Sequence, residues 1–332
     1  MLIGMPYWEI VTRSFKITWR HKYLWLLALF AGETGGGFNF NSGSFTPPGT
    51  NRSNQTPDLN TINQQISQWV ADHGGLIVAA GVLLILVTIA FFVLAAVCEG
   101  AVVRAAAEHD AERPFGLGMA WQTGRATMGA IIRFRLLVIA LALPVVIVFV
   151  VFAIGLVAAI AGNNGAAIAV VVLIGVLFVL AAVVYAVALA FIDRLGARAV
   201  VLEQIGAAAA IGRGYALLRK RLGRVLLVWL LSVAVGIALG ICVAIVGAIL
   251  VLPAGVIAFG AYASGSSTWW LVIVLAALIL LPIFAVISAF LAAQTSTYWT
   301  LAFRRLEIDQ PAYAYGTPPP QVQQPPPGLP TT

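Results

Sequence analysis

Five long apolar runs constrain this chain more than any other feature. Leu76–Val97, Leu136–Ala161, Ala166–Ile192, Val225–Leu252 and Trp269–Ala293 carry no Asp, Glu, Lys or Arg. Each meets the ~20 residues a helix needs to cross the hydrocarbon of a bilayer. In that medium every backbone N–H and C=O must be satisfied within the segment, so the runs are expected to be helices. The predicted fold class is all-α, a polytopic transmembrane helix bundle. Composition agrees: 9% of residues are charged, against roughly 25% in soluble domains. Pro144, Pro253 and Pro282 fall in or at the ends of these runs, which predicts kinks.

A sixth span rests on charge. Tyr23–Ala31 is apolar but too short to cross alone. Residues 1–23, 99–135, 193–224 and the stretch after 300 hold eighteen of the nineteen lysines and arginines; Arg52 is the other. Basic loops stay cytoplasmic. With both termini cytoplasmic, all four stretches share one side only if the chain also crosses near residues 20–32. The expected spans are about 20–32, 76–97, 136–161, 166–192, 225–252 and 269–293, with an extracytoplasmic loop at 33–75. Together they form a membrane domain over residues 1–310. A cleaved signal peptide ending near Ala31 is the weaker alternative, because the flank is Trp-rich and no clear A-x-A is present. Leu59–Val70 is expected to form a short helix. Residues 311–332, with two Pro-Pro-Pro runs, form a disordered cytoplasmic tail. The localisation expected is the cell (plasma) membrane, multi-pass.

Met1–Lys22 is amphipathic. Trp8, Val11, Phe15 and Trp19 share one face; Glu9, Arg13, Lys16 and Arg20 share another, with Glu9 and Arg13 paired at i,i+4. Two readings stand: a helix lying among headgroups, or the positive flank of a first span. The segment also resembles two others. Glu9–Leu29, Ala120–Leu141 and Ala210–Leu231 each begin amphipathic with an early arginine (Arg13, Arg125, Arg213) and run into a Leu-rich stretch. Three units are therefore expected, each an interfacial helix followed by a pair of spans.

The basic cluster is densest in Asp193–Arg224. Arg13, Lys16, Arg20, Arg125, Arg213, Arg219, Lys220, Arg221 and Arg224 are the candidate contacts to anionic lipid headgroups, because basic residues near a membrane surface attract them. Enforcing topology is the other role open to them. The net charge of +7 is explained by loop placement and does not call for nucleic acid. Within Ala199–Arg224, Glu203, Gly206, Ala210, Gly214 and Leu217 follow a Val-x-Glu-x-x-Gly-x-x-Ala-x-x-x-Gly-x-x-Leu-like pattern leading into a span. This resembles the elbow of uncharacterised bacterial polytopic membrane proteins related to the membrane domain of glycerophosphoryl diester phosphodiesterases. The resemblance implies a fold and a membrane location, with Glu203, Gly206 and Gly214 as its elbow motif. It does not imply the reaction, since the catalytic barrel has no room in this chain.

No catalytic constellation stands out. Glu99 and Asp193 lie at span ends near Arg104 and Arg194, and are expected to pair with them. Glu108-His109-Asp110-x-Glu112 is metal-like in composition but reads as a solvated loop. His21 and His73 stand alone at span edges. Cys98 and Cys242 suggest neither a disulfide nor a metal pair. Asn51-Arg52-Ser53 and Asn54-Gln55-Thr56 are glycosylation triplets only if the source glycosylates. Gly236-x-x-x-Gly240 is expected to pack two helices closely within the chain, or to join two copies as a homo-oligomer. Ser288, Gln294, Thr295, Ser296 and Thr297 are expected to hydrogen-bond between helices. No cofactor and no metal is expected. The function expected is a non-enzymatic membrane organiser, or a protein binding lipids or a partner through its tail. The alternative is a transporter or channel for a small or lipidic solute.

Overall fold

The computed structural model describes residues 7–31, 59–162, 165–265 and 269–307. The loop around Arg52, both glycosylation triplets and the proline-rich tail lie outside the described residues. All regular structure within them is helical: α1 (Tyr7–Arg20), α2 (Tyr23–Phe30), α3 (Leu59–Asp110), α4 (Leu117–Ala161), α5 (Gly165–Leu202), α6 (Ala207–Lys220), α7 (Leu222–Ala263) and α8 (Trp269–Glu307). Among the described residues, five helices are long and apolar enough to cross a membrane: α3, α4, α5, α7 and α8. The expected span at 20–32 is not one of them. The chain breaks at His21–Lys22, and α2 has only 8 residues, about 12 Å at 1.5 Å per residue.

The stretches read as loops are mostly helix. α3 continues through 99–110 and α4 begins at Leu117, so its first turns precede the apolar run that starts at 136. Leu59–Val70 is not a separate helix but the start of α3. Pro144, Pro253 and Pro282 sit inside α4, α7 and α8. Pro144 leaves the Ala140 carbonyl without its usual donor. One residue on, Tyr185 of α5 donates to the Leu141 carbonyl (2.8 Å), tying α5 to α4 beside the proline.

The packed core lies at the basic ends of the long helices, not along their apolar middles. The C-terminal ends of α3, α5 and α8 meet one another. They supply Val102, Ala105, Leu195, Ala199, Trp299 and Phe303, all buried. Each end is clasped by another helix: α3 by the start of α4, α5 by α6, and α8 by α1 and α2. Small residues set two of these contacts. A Cβ on Gly124 of α4 would lie 2.2 Å from the Val97 carbonyl, and one on Gly214 of α6 would lie 3.1 Å from the Ile192 carbonyl. On α1, Ser14 and Thr18 are fully buried, and Thr18 Oγ1 reaches Thr297 Oγ1 of α8 (3.4 Å).

That clasp buries one side of α1. Its buried residues are Ile10, Val11, Ser14, Ile17 and Thr18, while Trp8 and Trp19 are about two-thirds exposed at 65% and 66%. Small side chains let α1 approach α8, and the indoles are left outside. Trp19 and Trp25 both pack on Phe290 of α8, at 5.9 and 5.2 Å between ring centroids. Trp25 Nε1 donates to the Thr18 carbonyl (2.8 Å), one of the carbonyls that a helix end leaves without an intrahelical donor.

The turns after α3 and α5 are alike. Each carries one non-glycine residue in the left-handed region, Glu112 (φ 57) and Gln204 (φ 54). Each ends in an extended glycine, Gly116 and Gly206, that starts the next helix. Beyond the core, α4 pairs with α5 and α7 with α8. The most apolar window of each long helix is 0% buried. Apolar surface on that scale requires a non-aqueous surrounding.

Candidate functional site

A polar concavity lies where α1 ends, beside the last turn of α3 and the α3–α4 turn. It is a cleft of about 860 Å³. Its walls carry Arg13, Lys16 and Arg20 from α1, Arg113 from the turn, the acids Glu9 and Glu112, and the imidazoles of His21 and His109. Four cationic side chains against two anionic ones leave the cleft basic.

Ion pairs fix its frame. Arg13 Nε lies 2.7 Å from Asp110 Oδ1, and Arg304 Nη1 of α8 lies 2.6 Å from Asp110 Oδ2. Asp110 therefore ties α1, α3 and α8 together. Glu108 takes Arg104 at 2.7 Å and Arg113 at 3.4 Å. The Glu108–Glu112 run is thus not a solvated loop: Glu108 and Asp110 are used by arginines on the end of a helix. Among the described residues no three His, Cys, Asp or Glu side chains are grouped to hold a metal ion. Glu9 pairs with Arg305 (3.6 Å) rather than with Arg13.

The histidines do not stand alone. His21, at the α1–α2 break, stacks on His109 with ring centroids 3.6 Å apart and 10° between planes. Tyr23 Oη lies 2.6 Å from His109 Nε2 and donates to the Phe115 carbonyl (3.1 Å). With its single proton so placed, the phenol accepts from Nε2–H. Burial, then the neighbouring His21 and Arg20, push His109 down to about 4. Burial and Arg20 push His21 down as well. Both rings are therefore neutral at pH 7, and an anion entering the cleft would favour their protonation. His73, in α3, stacks on Trp69 at 5.0 Å.

Lys16 and Arg20 differ from the other cations of the cleft. Both are exposed, and neither has a carboxylate within 4.0 Å among the described residues. Arg13, by contrast, is committed to Asp110. The remaining candidate contacts lie elsewhere. Arg213 pairs with Glu203 across the α5–α6 turn (3.1 Å), and Arg221 donates to the Leu306 carbonyl at the end of α8. Arg125, Arg219, Lys220 and Arg224 are exposed on α4, α6 and α7. The structure therefore brings together only Arg13, Lys16 and Arg20 of the nine. It adds Arg113, His21 and His109, which the sequence had not marked for this role. The elbow motif serves packing: Glu203 holds Arg213, Gly206 starts α6, and Gly214 admits the α5 backbone.

A second charged cluster joins α3, α4 and α5. Glu99 and Asp193 do not pair with Arg104 and Arg194. They share Arg135, which donates to Glu99 Oε1 (2.7 Å) and Oε2 (3.3 Å), and to both oxygens of Asp193 (2.7 Å each). The three residues stand at the same level of neighbouring helices, so the shared arginine wins over the adjacent ones. Arg194 is drawn instead over the Trp299 ring, 5.0 Å from its centroid.

Gly236 and Gly240 also depart from expectation. A Cβ on either would meet nothing within 4 Å, so they close no helix contact within the chain. The close approaches are instead at Gly100, Gly124, Gly196 and Gly214; a Cβ on Gly100 would fall 2.4 Å from Thr127 Oγ1 and one on Gly196 2.6 Å from Phe134.

Comparison with curated proteins finds no match, and comparison with solved structures finds none either. Residues 12–302 match the model of a family of unknown function, DUF7544, and the chain, matched over most of its length, belongs to that family.

Proposed function

We propose that this chain is a non-enzymatic integral membrane protein whose basic end lies at the cytoplasmic surface and binds anionic lipid headgroups in the α1–α3 cleft. The observation that carries the reading is the pair Lys16 and Arg20: two exposed cations without carboxylate partners among the described residues, on the wall of a basic cleft. The exposed Trp8 and Trp19 on the same helix suit an interfacial position, where one side of an indole is apolar and the other wet.

Both termini are then cytoplasmic. α2 packs against the buried end of α3, whereas Leu59 starts α3 more than 40 residues before that end. If α3 crosses, α2 and the start of α3 lie on opposite sides of the membrane. Three units are supported by the three clasped helix ends and by the matching turns after α3 and α5. On this reading the chain is an elbow-type membrane module that gathers lipids or a protein partner.

Each basic residue near an anionic surface contributes about 1 kcal/mol. Replacing two, as Lys16→Gln with Arg20→Gln, should lower affinity roughly 30-fold. The test is lipid retention by the full chain, measured by native mass spectrometry with phosphatidylglycerol against phosphatidylcholine. The reading requires preference for phosphatidylglycerol, lost in this double variant and kept in Arg219→Gln with Lys220→Gln. Equal retention of both lipids by the wild type refutes it.

A further inference from the structure

Away from the basic cleft, α7 and α8 enclose a cavity of about 170 Å³. Ser232, Gly236 and Gly240 of α7 face Gln294 and Thr295 of α8 across it. Gln294 is only 4% exposed. Neither its amide nor the hydroxyls of Ser232 and Thr295 has a hydrogen-bond partner among the described residues. The two glycines leave the space open, since a Cβ on either meets nothing within 4 Å. An amide held in apolar surroundings without a partner is strongly unfavourable. The chain neither satisfies this amide nor closes the space around it, so the natural occupant is polar.

Three properties narrow that occupant. No charged side chain lines the cavity, so an ion or phosphate would leave water without a counter-charge. An amide offers both donors and an acceptor, and hydroxyls offer either, which matches a group that also does both. The cavity is deep: along α7, Ser232 lies about 12 Å and Gly240 about 24 Å beyond Arg224, at 1.5 Å per residue. A phosphate-bearing lipid keeps its phosphate at the edge of the hydrocarbon. Only an uncharged head reaches this level. The volume equals that of about six waters at ~30 Å³ each, enough for a glycerol-sized group.

We propose that the α7–α8 cavity binds the uncharged, hydroxyl- and ester-bearing head of a neutral lipid of the diacylglycerol class. Its acyl chains leave between the exposed apolar faces of α7 and α8. The site is distinct from the headgroup cleft and does not depend on it.

The test uses the full chain in lipid nanodiscs and a diacylglycerol carrying a diazirine near its glycerol. Irradiation should label peptides of α7 or α8. Unlabelled dioleoylglycerol should compete, and the same amount of phosphatidylglycerol should not. Gln294→Leu, which removes the amide, and Gly236→Leu, which fills the space, should each reduce labelling about tenfold. Lys16→Gln with Arg20→Gln should leave it unchanged. Absence of labelling, or equal competition by phosphatidylglycerol, overturns the proposal on the wild type alone, whatever the variants do to folding. Labelling unaffected by both cavity variants overturns it as well.

Discussion

Replacing Arg135 by methionine tests the packing logic of the basic end. Its guanidinium is the shared donor to Glu99 and Asp193, and the methionine chain retains much of its apolar stem. The two acids do not suffer equally. The Asp193 side chain is 24% exposed and recovers water, whereas that of Glu99 is 3% exposed and cannot. Removing one partner of a buried ion pair costs about 3–5 kcal/mol. The 26% exposure of Arg135 places this case at the lower end, about 3 kcal/mol. At about 2–4 °C per kcal/mol for a chain of this order of size, the melting temperature should fall roughly 6–12 °C. Tryptophan fluorescence of the protein in detergent would read the transition, since Trp229 and Trp299 both pack on Phe191 near this level. Adding Glu99→Gln and Asp193→Asn to the variant should recover at least half of the loss. A melting temperature within about 1 °C of wild type would refute the argument, as would a triple variant no more stable than Arg135→Met.

Glycine substitutions should sort by contact rather than by motif. Gly124→Ala places a Cβ 2.2 Å from the Val97 carbonyl, a backbone atom that cannot rotate away, and should lower the melting temperature by several degrees. Gly236→Ala and Gly240→Ala meet open space and should be neutral or slightly stabilising, as the alanine helix propensity implies; the same thermal assay ranks all three. His109 should make the fold acid-sensitive. Its folded value of about 4 lies below the ordinary 6.5, so the unfolded chain binds the extra proton between those values. The stability it contributes is whole above pH 6.5 and is lost as pH falls toward 4. Melting curves at pH 7 and pH 5 should show a smaller drop for His109→Gln than for wild type.

The apolar runs were legible because a bilayer allows few solutions: length and the absence of charge marked five long helices, each of which runs well beyond its apolar stretch at one or both ends. What failed was the reading of polarity as loop. Residues 99–110 look like a connection by charge, yet Ala105, Ala106 and Ala107 are buried there, and alanine gives no sign of whether it faces water or protein. The eight residues of α2 were given a full crossing because charge balance demanded one, and charge balance does not say which residues make it. Pairing partners were misassigned by proximity in sequence. Glu99 and Arg135 are 36 residues apart, and Thr18 and Thr297 are 279 apart; only the juxtaposed helix ends reveal them. Of the cleft, the α1 cations were visible as one face of an amphipathic helix. Its other wall, His109 and Arg113, depends on the left-handed turn at Glu112, for which no glycine gave notice.

The clasp of α1 on α8 has a consequence for biogenesis. Translation delivers α1 well before its partner, with 279 residues separating Thr18 from Thr297. Until the final helix emerges, Ser14 and Thr18 have no surface to close against, and the helix waits at the lipid surface on its own amphipathic character. A chain that stops before residue 297 lacks the end of α8, so Thr18 has no Thr297 to meet and the α3 and α5 ends lose a neighbour. The packing of α1 is thereby finished only once α8 is made, through contacts that join the first and last described helices.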